Sequence, residues 1–540
     1  MRRAAILAVL ATLKLGLPGT AQEQMTKFFQ PNSPTPDAFF GDAVSASAAR
    51  AVIGAPRDAG AGGNVGAAYL MQLTPAGWAF ATELVPNEPQ LISFYGTSVA
   101  LSGERALVGA NFAPGAIQST GAAYVFERTG SVTWVNTAKL FEVGGDGADR
   151  FGEAVDLDGD RALVSAFSDD HVFPDAGSAF IFDLVGGSWV QSAKLTASDA
   201  ASKQFLGDAV ALDGDTALVG ALRADLFTGA VYVFELAAGS WSQSARLTPS
   251  DPLSEHFGEA VALDGDRALV GAPWDDALGN TSGAVYAFER TPGGWVEVQK
   301  INASDAASSD LFGTSIALEG NLALVGSPGD DDACFGSTSC SSGSVYVYEL
   351  QNGVWIETGK FAGDDTQKGD EFGRAVSLAR DFGDIAVVGA PEDDFPTDDN
   401  GSAYAFLLPT LTGTPAALSA STGGAQLLAL DARLEHAGRP YLLLGSLSGT
   451  LPGVPLKGQV LPLVPDDYTV TSLLAPNVPP LAASFGLLDA QGRATAGFTL
   501  FSGLSPAVVG LEVHHAYVVL DPVTAEVRLA SNAAPLAIDP

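Results

Sequence analysis

The chain has 540 residues, 62 of them acidic and 27 basic, for a formal charge of −35 at pH 7. A field of that sign repels phosphate backbones, which excludes nucleic acid as a partner and favours solubility and the attraction of cations or basic surfaces. Beyond the first residues no run reaches the roughly 20 apolar residues that a membrane helix needs, so no integral membrane segment is expected.

The N-terminus reads "MRRAAILAVLATLKLGLPGTAQEQ", with Arg2 and Arg3 before an apolar run from Ala4 to Leu13 and small residues at its exit. That is the layout of a secretory signal peptide over 1–21. The protein is therefore expected to be secreted or at the cell surface. In that compartment its two cysteines, Cys334 and Cys340 in "ACFGSTSCSSG", are expected to close one small loop as a disulfide.

An aromatic or apolar residue followed by glycine then recurs seven times, at Gly41, Gly96, Gly152, Gly207, Gly258, Gly313 and Gly373. The spacings of 55, 56, 55, 51, 55 and 60 residues mark a structural repeat. Each unit splits into four short runs, as in "FGEAVALDGD", "RALVGAP", "GAVYAFER" and "GWVEVQKI". Bounded by glycine, proline and aspartate, they read as four antiparallel strands, A to D, of one propeller blade. Trp78, Trp134, Trp189, Trp241, Trp295 and Trp355 open strand D and are read as packing residues. The seventh unit stops at "GSAYAFLLP" without its strand D, and residues 24–29 are expected to supply it, closing the ring and removing a sheet edge.

Phe-Gly paired with Gly-Ala-Pro, at Gly54-Ala55-Pro56, Gly271-Ala272-Pro273 and Gly389-Ala390-Pro391, resembles the FG-GAP repeat of integrin α-chain propellers and of exported bacterial proteins. The resemblance covers about 35–408 and implies a seven-bladed β-propeller outside the cell. Integrin repeats often hold calcium at the A–B turn, through three alternating aspartates before a glycine. Here the "LDGD" turns at 157–160, 212–215 and 263–266 offer two aspartates each. They read as tight hairpins, since calcium takes about 6 to 8 oxygens.

Acids also crowd the B–C loops, "AFSDDHVFPDAG", "APWDDALGNTSG", "SPGDDDACFGSTSCSSG" and "APEDDFPTDDNG", and the D–A loops before each Phe-Gly. In an antiparallel blade the end of B and the start of A share an edge, so both loop sets are expected on one face of the disc. Asp169, Asp170, Asp275, Asp276 and Asp399 are the expected binding-face residues. Asp330, Asp331, Asp332, Asp393, Asp394 and Asp398 are weak candidates for calcium, the one cofactor considered. Acids that only solvate the loops and start turns remain the competing reading.

After Pro409 the charge thins to nine acids and five bases. Alternating runs such as "QLLALDA", "RPYLLLGS" and "HHAYVVLD" suggest a β-sandwich over 409–540, following the propeller over 22–408. His514 and His515 are neighbours on a predicted strand, so they face opposite ways. Both, with His436, are read as surface or interface residues. The fold class is thus all-β, a propeller followed by a sandwich.

No triad, phosphate loop or metal motif stands out, so the expected protein is not an enzyme and requires no cofactor. The leading reading is a monomeric binding or adhesion protein whose acidic propeller face contacts an extracellular protein or glycan. The alternatives are an extracellular polymer-degrading hydrolase or lyase with carboxylates near the axis, and a structural envelope component.

Overall fold

A computed structural model describes residues 23–539 apart from 32–36, 48, 60–64, 75–76, 89–92, 116–119, 131–132, 144–147, 252–254, 332–339, 352, 380–383, 395–399, 409, 415–416, 420, 433–437, 448–453, 457–458, 462–466, 490–492, 503–510, 521, 523–526 and 532–533. The expected signal peptide and His436 lie outside the described residues. Two compact units form among the described residues, one of Gln24–Glu357 with Ala362–Phe406, the other of residues 407–539 with Thr358–Phe361.

The first unit is a seven-bladed propeller. Six sheets each take four consecutive strands as an antiparallel meander, such as Phe151–Asp158, Arg161–Ala166, Ser178–Val185 and Ser188–Leu195. The seventh combines Ala375–Ala379, Asp384–Ala390 and Ser402–Leu408 with the N-terminal strand Glu23–Phe28 beside the last of them. Strands A of neighbouring blades touch all the way round, and that of the seventh blade returns against Val44–Ser47 of the first. There Ala46 N donates to Ser377 Oγ at 2.9 Å.

Steric demand explains why Phe-Gly and Gly-Ala-Pro travel together. A Cβ on the Gly-Ala-Pro glycine of one blade would strike the carbonyl oxygen of the Phe-Gly glycine in the next, as at Gly54 on Gly96, Gly271 on Gly313 and Gly389 on Gly41. Only glycine lets the two backbones approach so closely. The preceding aromatic seals the same joint: Phe40, Phe151, Phe257, Phe312 and Phe372 are all buried, each contributing about 2 kcal/mol of apolar burial.

The A–B hairpins lash blades together as well as turning the chain. Asp158, Asp213 and Asp264 accept hydrogen bonds from the turn glycines of the next blade, Gly214 N at 2.9 Å, Gly265 N at 2.5 Å and Gly320 N at 2.5 Å. Two of the second acids take arginines from the preceding blade, with Arg105 on Asp160 at 2.6 Å and Arg161 on Asp215 at 2.9 Å, while Asp266 pairs with Arg290 of its own blade. With these carboxylates already engaged, the hairpins do not fit a calcium site.

In the second unit, Thr410–Thr414, Gly424–Asp431, Arg493–Leu500 and Leu481–Ala482 form one sheet, and a second runs Ala417–Ser419, Ala534–Asp539, Glu512–Leu520, Pro440–Ser446, Phe485–Leu487. Both feed one apolar core through Leu428, Phe498, Tyr441, Leu443, Tyr517 and Leu536, which is a sandwich. A parallel pairing of Ala417–Ser419 with 537–539 and a helix, Asp467–Leu474, are additions to the expected plan. His515 corrects its reading as a surface residue. It is fully buried, with Nε2 3.0 Å from the Tyr468 hydroxyl, and burial, then His514, push its pKa down to about 3.

Candidate functional site

On one face of the propeller the D–A and B–C loops interlock. Phe205 N donates to Asp175 O at 3.2 Å, His256 N to Phe227 O at 2.9 Å and Glu371 N to Ser341 O at 3.1 Å, each tying the loop entering one blade to the B–C loop of the blade before. The residue ahead of each Phe-Gly is left-handed in all seven blades, with φ of 55° at Phe39, 49° at Phe94, 56° at Arg150, 55° at Phe205, 57° at His256, 57° at Leu311 and 52° at Glu371. Such backbone is costly for a residue with a side chain and is held only where the surroundings enforce it. In six blades its carbonyl also accepts from the residue after the glycine, for example Asp42 N to Phe39 O at 3.2 Å and Arg374 N to Glu371 O at 3.0 Å. This turn sets the two residues flanking Phe-Gly side by side at the mouth of the central channel.

The expected binding-face acids divide by position. The first acid of each acid pair in these B–C loops is buried: Asp169, Asp275, Asp330 and Asp393 are 4%, 0%, 3% and 3% exposed. Asp275 accepts from Tyr286 at 3.1 Å and from Lys300 at 2.8 Å, and Lys300 also reaches Asp251 at 2.7 Å. Asp393 binds Tyr404 at 2.7 Å and Lys27 at 2.6 Å; Asp169 binds Ser178 at 2.5 Å and Lys194 at 2.6 Å. Asp330 takes the Tyr346 hydroxyl at 2.8 Å. Burial, then the facing carboxylates, hold the Tyr346 and Tyr404 phenols far above their usual range, so they remain donors. Asp169, Asp275 and Asp393 join strand C to strand D inside a blade, and Asp330 binds strand C; all four are buried, Asp169 and Asp275 of the expected binding face among them.

The second acids stay outside. Asp170, Asp276 and Asp394 are exposed and Asp331 is half-buried. Asp170 and Asp276 each cap a returning backbone amide of their own loop, Asp175 N at 2.5 Å and Thr281 N at 2.6 Å, and Asp331 caps Cys340 N at 2.6 Å. Asp332, Asp398, Asp399 and Cys334 lie outside the described residues; Cys340 is buried and disulfide-bonded. Among the described residues no three of His, Cys, Asp or Glu gather as metal ligands.

The channel itself carries the chemistry that single loops do not show. The residues after Phe-Gly include Asp42, Glu153, Asp208 and Glu259, and these feel one another across non-adjacent blades, as when Asp42 raises the Glu153 pKa. Burial, then Glu259 and Glu153, push Asp208 up to about 7. An acid raised this way favours folding below its unfolded pKa and penalises it progressively as pH rises toward 7. Asp208→Asn should therefore raise the melting temperature by about 2 °C at pH 8. That gain should shrink as pH falls from 7 toward 4, as a pH series of thermal melts would show.

Around the mouth runs a collar of stacked rings and arginines. Phe94 meets Phe112 at 5.2 Å, Arg150 lies 5.1 Å from both Phe112 and Phe167, Phe167 meets Phe205 at 5.5 Å, and Arg223 lies 4.7 Å from Phe205. His256 continues the series, 4.7 Å from Trp274, with Nδ1 3.0 Å from Glu259. Beyond it, Phe173, Leu226, Phe227, Trp274 and Leu278 of three consecutive B–C loops are exposed, Leu226 at 93%. None of these apolar residues is among those expected on the binding face from the sequence. Their signal was an apolar side chain at the tip of an otherwise polar loop, in "DLF" and "PWDDAL".

A family model described as FG-GAP repeat matches residues 30–71, 78–126, 134–182, 189–234, 241–288, 295–348 and 355–406. Each match after the first starts at the tryptophan of one strand D and runs into strand C of the following blade. Among curated proteins the sequence matches none. With seven matches over more than half its length, laid on seven four-stranded sheets, the chain belongs to the FG-GAP repeat family and its propeller is of the integrin α-chain type.

Proposed function

We propose that the protein is a secreted or cell-surface binding or adhesion protein that contacts an extracellular protein or glycan through the face made by its B–C and D–A loops. The observation that carries this reading is the run of exposed apolar side chains, Phe173, Leu226, Phe227, Trp274 and Leu278, on three neighbouring loops, rimmed by exposed Asp170, Asp225 and Asp276. An apolar patch with a polar rim costs solubility unless a partner covers it. The family's usual extracellular setting and the signal-like N-terminus support export, and among the described residues no helix is long and apolar enough to cross a membrane.

The test is binding of the chain to protein and glycan arrays, with calcium present and chelated, beside a Leu226→Ser, Trp274→Ala variant. Loss of at least about tenfold in affinity is expected, since aromatic anchors at an interface each contribute about 2 kcal/mol. Undiminished binding by the variant would sink the reading. An enzyme acting on an extracellular polymer is favoured by one feature, the buried Asp208 beside Glu153 and Glu259, whose pKa burial and those carboxylates push up to about 7, a pairing suited to acid–base work. Turnover of an array-positive polymer that Asp208→Asn abolishes would select that reading.

A further inference from the structure

The mouth of the channel between the seventh, first and second blades forms a pocket of about 530 Å³, lined among others by Phe94, Phe112, Arg57, Arg374, Asp42 and Glu371. Its arginines differ from the ion-paired cations elsewhere in the propeller, and like Arg150 and Arg223 they lie at the ring-lined mouth. With 62 acids available, Lys27, Arg105, Arg161, Lys194, Arg246 and Lys300 all sit on carboxylates. Arg57 and Arg374 are exposed and have no ion pair or side-chain hydrogen bond among the described residues. The Arg57 guanidinium is already positioned, 4.3 Å from the centre of the Phe39 ring. A stacked guanidinium keeps its N–H edge free, and that edge matches a carboxylate in two parallel hydrogen bonds.

The rest of the lining asks for the opposite chemistry. Asp42, Glu371 and Glu392 bring acceptors, Thr97 a hydroxyl, and Asn111 is buried with its Oδ1 unpaired while Nδ2 donates to Glu153 at 2.7 Å. Phe94, Phe112, Pro56 and Pro391 add flat apolar surface. An acidic peptide would satisfy the arginines and be repelled by the carboxylates. A sugar acid offers one carboxylate for the arginines, hydroxyl donors for the acids and an apolar ring face for the aromatics. We propose that this pocket binds a uronic-acid unit of an acidic polysaccharide, its carboxylate between Arg57 and Arg374. The proposal rests on the reading of this face as a binding surface. The chain's overall negative charge does not forbid it, because at physiological ionic strength exposed charges are screened beyond about 8 Å.

Calorimetric titration of the full chain with trigalacturonate tests the pocket directly, with a neutral trigalactoside and triglutamate as comparisons. Trigalacturonate should bind, and both comparison ligands at least about tenfold more weakly. Arg57→Gln and Arg374→Gln should each weaken trigalacturonate about tenfold, the loss of one charge-assisted pair, while Glu371→Gln should tighten it. Thermal melts of the variants verify folding, since both arginines are exposed. Absence of trigalacturonate binding, equal binding of the neutral sugar or of triglutamate, or unchanged affinity in a folded Arg57→Gln, Arg374→Gln double variant would overturn the proposal. The Leu226→Ser, Trp274→Ala variant should bind trigalacturonate normally, so failure of the pocket and failure of the wider face are read separately.

Discussion

Asp275→Ala should destabilise the propeller by about 3 kcal/mol, whereas Asp276→Ala, one residue later, should cost about 1 kcal/mol or less. The two acids look alike in the sequence. Asp275 is fully buried and accepts from both Lys300 and Tyr286. Burial disfavours the Lys300 charge, but hydrogen bonds with Asp251 and Asp275 outweigh it and hold the ammonium above its usual range. Removing Asp275 takes one of two carboxylates from a half-buried ammonium and a buried acceptor from the Tyr286 phenol. Asp276 is exposed and loses one capping bond to Thr281 N. Urea unfolding of the two variants checks the contrast, and equal midpoints would refute the assignment of separate roles.

Removing Glu23–Phe28 should cost roughly 5 kcal/mol and bring aggregation, because it strips the seventh sheet of its outer strand and exposes an edge. The strand also delivers Lys27, which bridges Asp365 at 2.7 Å and Asp393 at 2.6 Å with little exposure of its own. Phe28 packs edge-on against Trp78 of the first blade, centroids 5.5 Å apart. Lys27→Met separates the two contributions: it should recover the strand's backbone pairing yet still lose about 3 kcal/mol from Asp393 left buried without its cation. Thermal melts with light scattering would show both effects. An unchanged transition in the shortened chain would refute the role of this strand in closing the seventh blade.

The blade count, the four-strand unit and the reason for its glycines were legible because a repeat writes its own alignment. The fate of each acid was less so. Whether a B–C aspartate faces water depends on a tyrosine in strand C and a basic residue near the end of strand D, as Asp275 depends on Tyr286 and Lys300. That signal was present as "AKL", "ARL", "QKI", "GKF" and "TKF" in successive strands D. It becomes readable only when acids and cations are aligned across the copies together. The exposed apolar tips at Leu226 and Trp274 carried no periodicity to betray them, since single loop positions have none.

By itself the sequence determined the architecture, because glycine spacing, strand length and turn chemistry are local properties repeated seven times. Tertiary structure alone decided which charges are spent and which are spare. Asp264, read as a turn former, binds the next blade's Gly320; Asp275 became an interior anchor; Arg57 and Arg374, from the first and seventh blades, came together at one pocket. A charge is neutralised by whatever lies within a few ångströms of it, and around a closed ring those neighbours come from distant parts of the chain.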